Sequence, residues 1–264
     1  MIKIETQSNL HRVRVIPVLL LQNGGLVKTI RFKKPNYIGD PINAVRIFNE
    51  KEVDELVILD ISATPKKKQP DFNHLEDMVS EAFMPLAYGG GIKSINDIKR
   101  AFDCGIEKIV LNSITYETPQ IIKEASKIYG NQSIVVSIDV NTNLFGAYQL
   151  YSHCGLKKQG KQIVEYCKIM EETGAGEIIL TAIHKEGCFK GYDTNLINQI
   201  CHEVSIPVVA NGGARGIEDF RSAIQSGASA VAAGSRFVYT GRENGIMINY
   251  PKQNELKTQL FEKL

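Results

Sequence analysis

Residues 85–113 read PLAYGGGIKSINDIKRAFDCGIEKIVLNS, and residues 207–235 read PVVANGGARGIEDFRSAIQSGASAVAAGS. Pro, Gly-Gly, Ile, Asp, Ala, Gly and Ser recur in one register. Each copy runs from a short apolar stretch through a glycine turn into an amphipathic segment. A glycine, a second apolar stretch and a small polar residue follow. That order is strand, turn, helix, strand, and a repeat at fixed offset makes the chain two similar halves.

The rest of the chain completes both halves. Strands are expected at 13–21, 55–61, 85–87 and 108–111, then at 134–140, 177–182, 207–210 and 230–233. Helical patterns separate them, among them one opened by Asp40-Pro41, with Asp at the N-cap and Pro at N1. Leu26–Asp40 reads as a long basic loop and Tyr148–Ser152 as an extra hairpin arm, while residues 1–10 read as a loose polar leader. Runs such as ELVILDI are apolar on both faces, as in parallel strands covered on both sides. Eight such strands in two sets of four predict a single α/β domain over 1–264, a (β/α)8 TIM barrel of half-barrels spanning about 13–130 and 131–250. A doubly wound open sheet gives no reason for a four-plus-four repeat.

Composition narrows the partners. Lys and Arg number 31 against 29 Asp and Glu, a net charge of +2, so no strong whole-chain field argues for nucleic acid or a membrane. No apolar run approaches the roughly 20 residues of a membrane helix. The five cysteines show no CxxC spacing, and with no signal peptide they point to reduced thiols in the cytoplasm. No metal or cofactor is expected.

In such a barrel the chemistry sits where the strands end. Gly90-Gly91 with Asn112-Ser113 makes one candidate anion site, and Gly212-Gly213 with Gly234-Ser235 makes its repeat partner. Glycines let backbone N–H groups approach a phosphate, and the following helix N-terminus adds a favourable dipole. A ligand with a phosphate at each end would span the two. Asp139 ends the fifth strand and is the candidate general acid or base. Asp60 ends the second strand at the position that Ala182 holds in the other half. His184 and Glu186 follow the sixth strand and could pair. At the opposite strand ends, Arg14, Glu55, Lys108 and Glu177 could form a charged layer across the axis.

DELVILDI at 54–61, YGGGIKS at 88–94, SIDV at 137–140, GAGEIILT at 174–181 and NGGARG at 211–216 resemble the cyclase subunit family of imidazole glycerol phosphate synthase, over nearly the whole chain. The resemblance implies a barrel with a glutaminase subunit on its bottom face and ammonia passing up the barrel to a phosphorylated small molecule. It implies Asp139 as catalytic acid and Arg14, Glu55, Lys108 and Glu177 as the ammonia gate. It implies phosphate or substrate contacts at Gly91, Asn112, Thr181, Gly187, Gly213 and Ser235, with Lys28 on a mobile first loop. Four departures stand out. Leu20, in VLLL, occupies the place of the family's general-base aspartate. HKEG at 184–187 stands where DRDG is expected, and Ala182 replaces a small hydroxyl residue. The ending FVYTGRENGIMINYP at 237–251 also differs. These departures are similar to a branch of the family associated with sugar amidation in surface polysaccharide biosynthesis, acting beside an N-acetyl sugar amidotransferase. The alternative is a true cyclase, a lyase of histidine biosynthesis.

Overall fold

The computed structural model describes residues 12–241 and 245–264. The leader expected at 1–10 lies outside the described residues, as do three positions of the divergent ending. Eight parallel strands close into a barrel. They are β1 (Arg14–Gln22), β2 (Leu56–Asp60), β3 (Leu86–Gly89), β4 (Lys108–Leu111), β5 (Ile134–Thr142), β6 (Glu177–Ala182), β7 (Val208–Asn211) and β8 (Ala230–Ala233). Each pairs with its sequence neighbours, and β8 pairs with β1 to complete the ring. The two halves join through β4–β5 and β8–β1.

Alternation along each strand sorts the side chains. Inward residues such as Ile16, Val57, Val110, Ile179 and Ala230 form an apolar column inside the barrel. Outward residues such as Leu19, Ile58, Ile109, Ile138 and Val231 pack beneath the helices. The helices carry their own start signals. Asp40 accepts from the Asn43 N–H with Pro41 at N1, and Asp71, Ser94 and Asp193 cap Phe72–Ser80, Ile95–Asp103 and Thr194–Cys201 in the same way. Such caps satisfy backbone donors that the helix itself leaves open.

Three departures from regular β/α alternation stand out, the first two on the mouth side. The segment expected to be a loop after β1 is an antiparallel hairpin, Gly25–Ile30 with Lys33–Gly39, paired to the end of β1. Its apolar residues Leu26 and Val27 are buried while Arg31 of its turn and Lys33 and Lys34 of its second strand are exposed, so the basic composition masked a strand pattern. The expected arm is present: Tyr148–Ser152 pairs antiparallel with the end of β5. The C-terminal segment packs Tyr250 against Phe237 and hydrogen-bonds its hydroxyl to the Val15 carbonyl at 2.8 Å, which braces β1.

Phe48, on helix Pro41–Glu50, is fully buried in the outer core. Phe48→Ala is expected to lower the unfolding free energy by about 3–5 kcal/mol in a denaturant titration, through lost burial and the cavity left behind.

Candidate functional site

The strand C-termini surround a cavity of about 510 Å³. Gly90, Gly91, Asn112, Ser113, Asp139, Thr181, Gly187, Gly212, Gly213, Gly234, Ser235 and Lys28 all line it, as do Leu20, Asp60 and Glu186. Barrel closure therefore brings the top-face candidates to one space, His184 excepted.

The two glycine turns are built alike. All four glycines have positive φ, from 73° at Gly91 to 119° at Gly90. A Cβ at Gly90 would collide with the Asp60 carbonyl, and one at Gly212 would stand 2.8 Å from the Ala182 carbonyl. Asp60 and Ala182 are equivalent positions in the two halves, so the requirement for glycine repeats with the fold. Each turn lines the cavity just before a helix, a position that suits a phosphate.

Asp139 is almost fully buried. Ser137 Oγ donates to its Oδ1 at 3.2 Å and Asn112 Nδ2 to its Oδ2 at 3.1 Å. Burial pushes the carboxyl from its ordinary value near 3.8 up to about 7, against the pull of those two donors. A carboxyl poised there can both give and take a proton near neutrality. Asn112, expected beside a phosphate, spends its side-chain amide on Asp139 and on the Ser137 carbonyl, at 2.9 Å. Ser113 Oγ accepts the His153 N–H at 3.0 Å.

Lys28 is not on a loop. It sits on the first hairpin strand, buried, and its Nζ donates to the Val18 carbonyl at 2.5 Å. A Cβ on Gly234 would collide with that ammonium, so Lys28 lies at the floor of the second glycine cradle. Burial, opposed by Glu186, lowers its pKa to about 8. Glu186 Oε2 accepts from Thr29 Oγ1 at 3.1 Å and from the Phe32 N–H at 3.3 Å. Burial pushes its carboxyl up, and Lys28 holds it back. The His184–Glu186 pair does not form. His184 Nε2 instead lies 3.0 Å from Asp193 Oδ2, behind the cavity wall, and Tyr148 donates to the other oxygen of that carboxylate. Asp60 Oδ1 accepts from Ser62 N, Ser62 Oγ and Ala63 N, so it orders the turn after β2 as well as facing the cavity.

Sequence reasoning missed Thr64, whose Oγ1 accepts the Gly91 N–H at 3.4 Å. It also missed His153 and Cys154, which the β5 arm carries over the cavity. Cys154 Sγ donates to the Ile61 carbonyl at 3.3 Å, and burial beside Asp139 and Asp60 pushes its thiol up to about 12. Only the arm's position after a catalytic-side strand could have signalled these residues.

At the lower end Arg14, Glu55, Lys108 and Glu177 close into an alternating square. Arg14 bonds both carboxylates, and Lys108 Nζ lies 2.9 Å from Glu55 and 3.0 Å from Glu177. Each buried carboxylate thus meets two cations. The apolar column separates this square from the cavity above.

Residues 14–243 match the model of the family described as "Histidine biosynthesis protein". The chain is 45% identical over 250 residues to a Leptospira interrogans protein that carries the provisional name imidazole glycerol phosphate synthase subunit HisF. That match covers 94% of this chain and 98% of the relative. A Pseudomonas aeruginosa protein, provisionally named subunit hisF2 of the same synthase, is 42% identical over 93% of this chain and 98% of its own length. Imidazole glycerol phosphate synthase subunit HisF of Petrotoga mobilis is 37% identical over 89% of this chain and 95% of its own length.

The Asp139 environment predicts a pH signature in stability. The native state holds this proton up to about pH 7, whereas the unfolded chain releases it near 3.8. The proton's contribution to stability is therefore complete below about pH 4 and is lost as pH rises through 7. Asp139→Asn is expected to be more stable than the parent at pH 8 in urea titrations, with the difference shrinking as pH falls toward 4.

Proposed function

Because the chain belongs to the histidine biosynthesis protein family, among the HisF-type cyclase subunits of imidazole glycerol phosphate synthase, we propose that it is the barrel subunit of a glutamine-dependent synthase. Ammonia from a glutaminase docked on the lower face passes the charged square and the apolar column, then reacts in the upper cavity. The ligand there carries a phosphate at each end, one on Gly90-Gly91 and Ser113, the other on Gly212-Gly213 and Gly234-Ser235. Lys28 neutralises the second. Thr181 and Gly187 shape the wall between them. Asp139, set by Ser137 and Asn112, moves the proton. The observation that carries this reading is one buried carboxyl, poised near neutrality, between two equivalent glycine cradles. The activity is that of a cyclase, a lyase of histidine biosynthesis, and it needs no metal or cofactor from the protein.

One residue favours a second reading. Leu20 lines the cavity at the place of the family's second proton-transfer group, and it cannot move a proton. Leu59, beside it in the sheet register, and Val18 extend the same apolar wall. Losing one of two acid/base groups typically costs about 10²–10⁴-fold in rate. On this reading the barrel passes ammonia onward for amidation of a sugar in surface polysaccharide biosynthesis, beside an N-acetyl sugar amidotransferase, and makes no imidazole.

The test is turnover of the synthase's bisphosphate precursor with saturating ammonium. Product formation supports the cyclase, while tight binding without turnover leaves the amidation reading. Leu20→Asp sharpens the comparison. A gain approaching 10²–10⁴-fold would mean that the parent lacks the second proton-transfer group, whereas a true cyclase changes little. For the square, Lys108→Met removes one cation from two buried carboxylates. With the glutaminase present, glutamine-driven turnover is expected to fall relative to ammonium-driven turnover, and stability to fall by up to about 3–5 kcal/mol.

A further inference from the structure

The near-zero net charge conceals a partition. Three mouth-side segments, residues 25–39, 61–70 and 141–162, carry nine exposed Lys or Arg residues and no Asp or Glu. The three meet over the cavity. Phe32 of the first packs against Gly155 of the third, Cys154 of the third hydrogen-bonds the Ile61 carbonyl of the second, and Lys66 of the second bonds Asn23 at the foot of the first. They make one continuous cationic crown.

The same crown bears apolar tips that nothing covers. Leu144 and Phe145, adjacent at the turn of the β5 arm, are 101% and 94% exposed, and Leu156 at the arm's second turn is 77% exposed. Lys157 and Lys158 follow Leu156 directly. Ile30 and Tyr37 of the first hairpin are more than half exposed as well. Single exposed apolar residues need no explanation, but a group of them on one face marks a contact.

We infer that the mouth-side crown is a peripheral docking surface for an anionic lipid bilayer, with Leu144 and Phe145 as the inserting tip. Three physical points select this occupant. Two facing copies of the crown would repel. Nucleic acid would satisfy the lysines but gives no role to an aliphatic–aromatic pair fully clear of the protein. A protein partner buries apolar area best on a flat or concave face, whereas these residues stand at convex hairpin ends. Apolar tips that enter the acyl boundary, backed by Lys and Arg within a screening length of about 8 Å of the headgroups, are what an anionic membrane surface rewards. Among the described residues no helix is long and apolar enough to cross a membrane, so the association is peripheral. It stands independently of the reaction proposed above.

The chain contains no Trp, so F145W places a single indole reporter at the tip. Full-length F145W should co-sediment with vesicles of phosphatidylglycerol and phosphatidylcholine in equal parts, with a blue-shifted indole emission, and neither should occur with phosphatidylcholine alone. The double variant L144D/F145D alters side chains that are 101% and 94% exposed, so its fold is retained. It should partition into the anionic vesicles at least about tenfold more weakly. Failure of F145W to sediment with anionic vesicles would overturn the inference. So would sedimentation without a blue shift, or unchanged partition of the double variant, either of which would assign the tips to a protein partner and leave only surface adsorption by the lysines.

Discussion

Closing eight parallel strands into a ring leaves no unpaired edge and gives every strand two ends with separate duties. Here the β8–β1 pairing closes the ring. All the strand starts then lie on one rim and all the strand ends on the other. The buried carboxylates Glu55 and Glu177 are far apart in sequence, and each is tolerable only because closure sets Arg14 and Lys108 between them. Removing one member would strand a charge away from water. The glycine turns depend on the same closure. Gly90 and Gly212 have no room for a side chain because the neighbouring strand delivers a carbonyl there.

Much of this was legible because it is short-range and periodic. The repeat predicted two half-barrels, the apolar runs located all eight strands, and Asp40-Pro41 and its counterparts marked helix starts. The charged layer was legible because strand starts must share a rim. The first hairpin was not, since its lysines and Pro35 outweigh its apolar residues in any composition-based reading, and only docking onto β1 buries Leu26 and Val27. Lys28 therefore changes character, from a residue on a free loop to a buried ammonium under Gly234. The His184–Glu186 pairing failed for a related reason. Neighbours in a tight turn point to different sides, so His184 meets Asp193 and Glu186 meets the hairpin.

The cavity wall is divided in chemistry. Asp139, Asn112, Ser137, Thr181 and Asn211 make a hydrogen-bonded side, whereas Val18, Leu20 and Leu59 make an apolar side. The division raises the importance of Asp139 twice over. Fewer polar neighbours mean weaker solvation of its charge, which is the main cause of its raised pKa. With Leu20 opposite, no second carboxylate in that place shares its proton. A reaction in this cavity that needs a matched acid and base would draw the second group from the ligand, from Lys28 or from Glu186, whose carboxyl burial also pushes up. Lys28 fits that need in one respect, because burial brings its pKa to about 8, where a neutral amine is accessible.

Charge balance along a sequence says little about where charge stands once the chain folds. The three outer mouth-side segments hold no acidic residue, while Asp60, Asp139 and Glu186 stand further in, along the cavity wall. Within the cavity Lys28, Lys67, Lys93 and Arg236 face Asp60, Glu117, Asp139 and Glu186, so the two signs are matched there; the cationic excess lies outside it, on the three outer segments. A field serving only the ligand would decay at the mouth, since exposed charges farther away than a screening length contribute little to binding inside. The outer lysines, lying beyond the cavity beside apolar tips, are accounted for by a second contact on that rim.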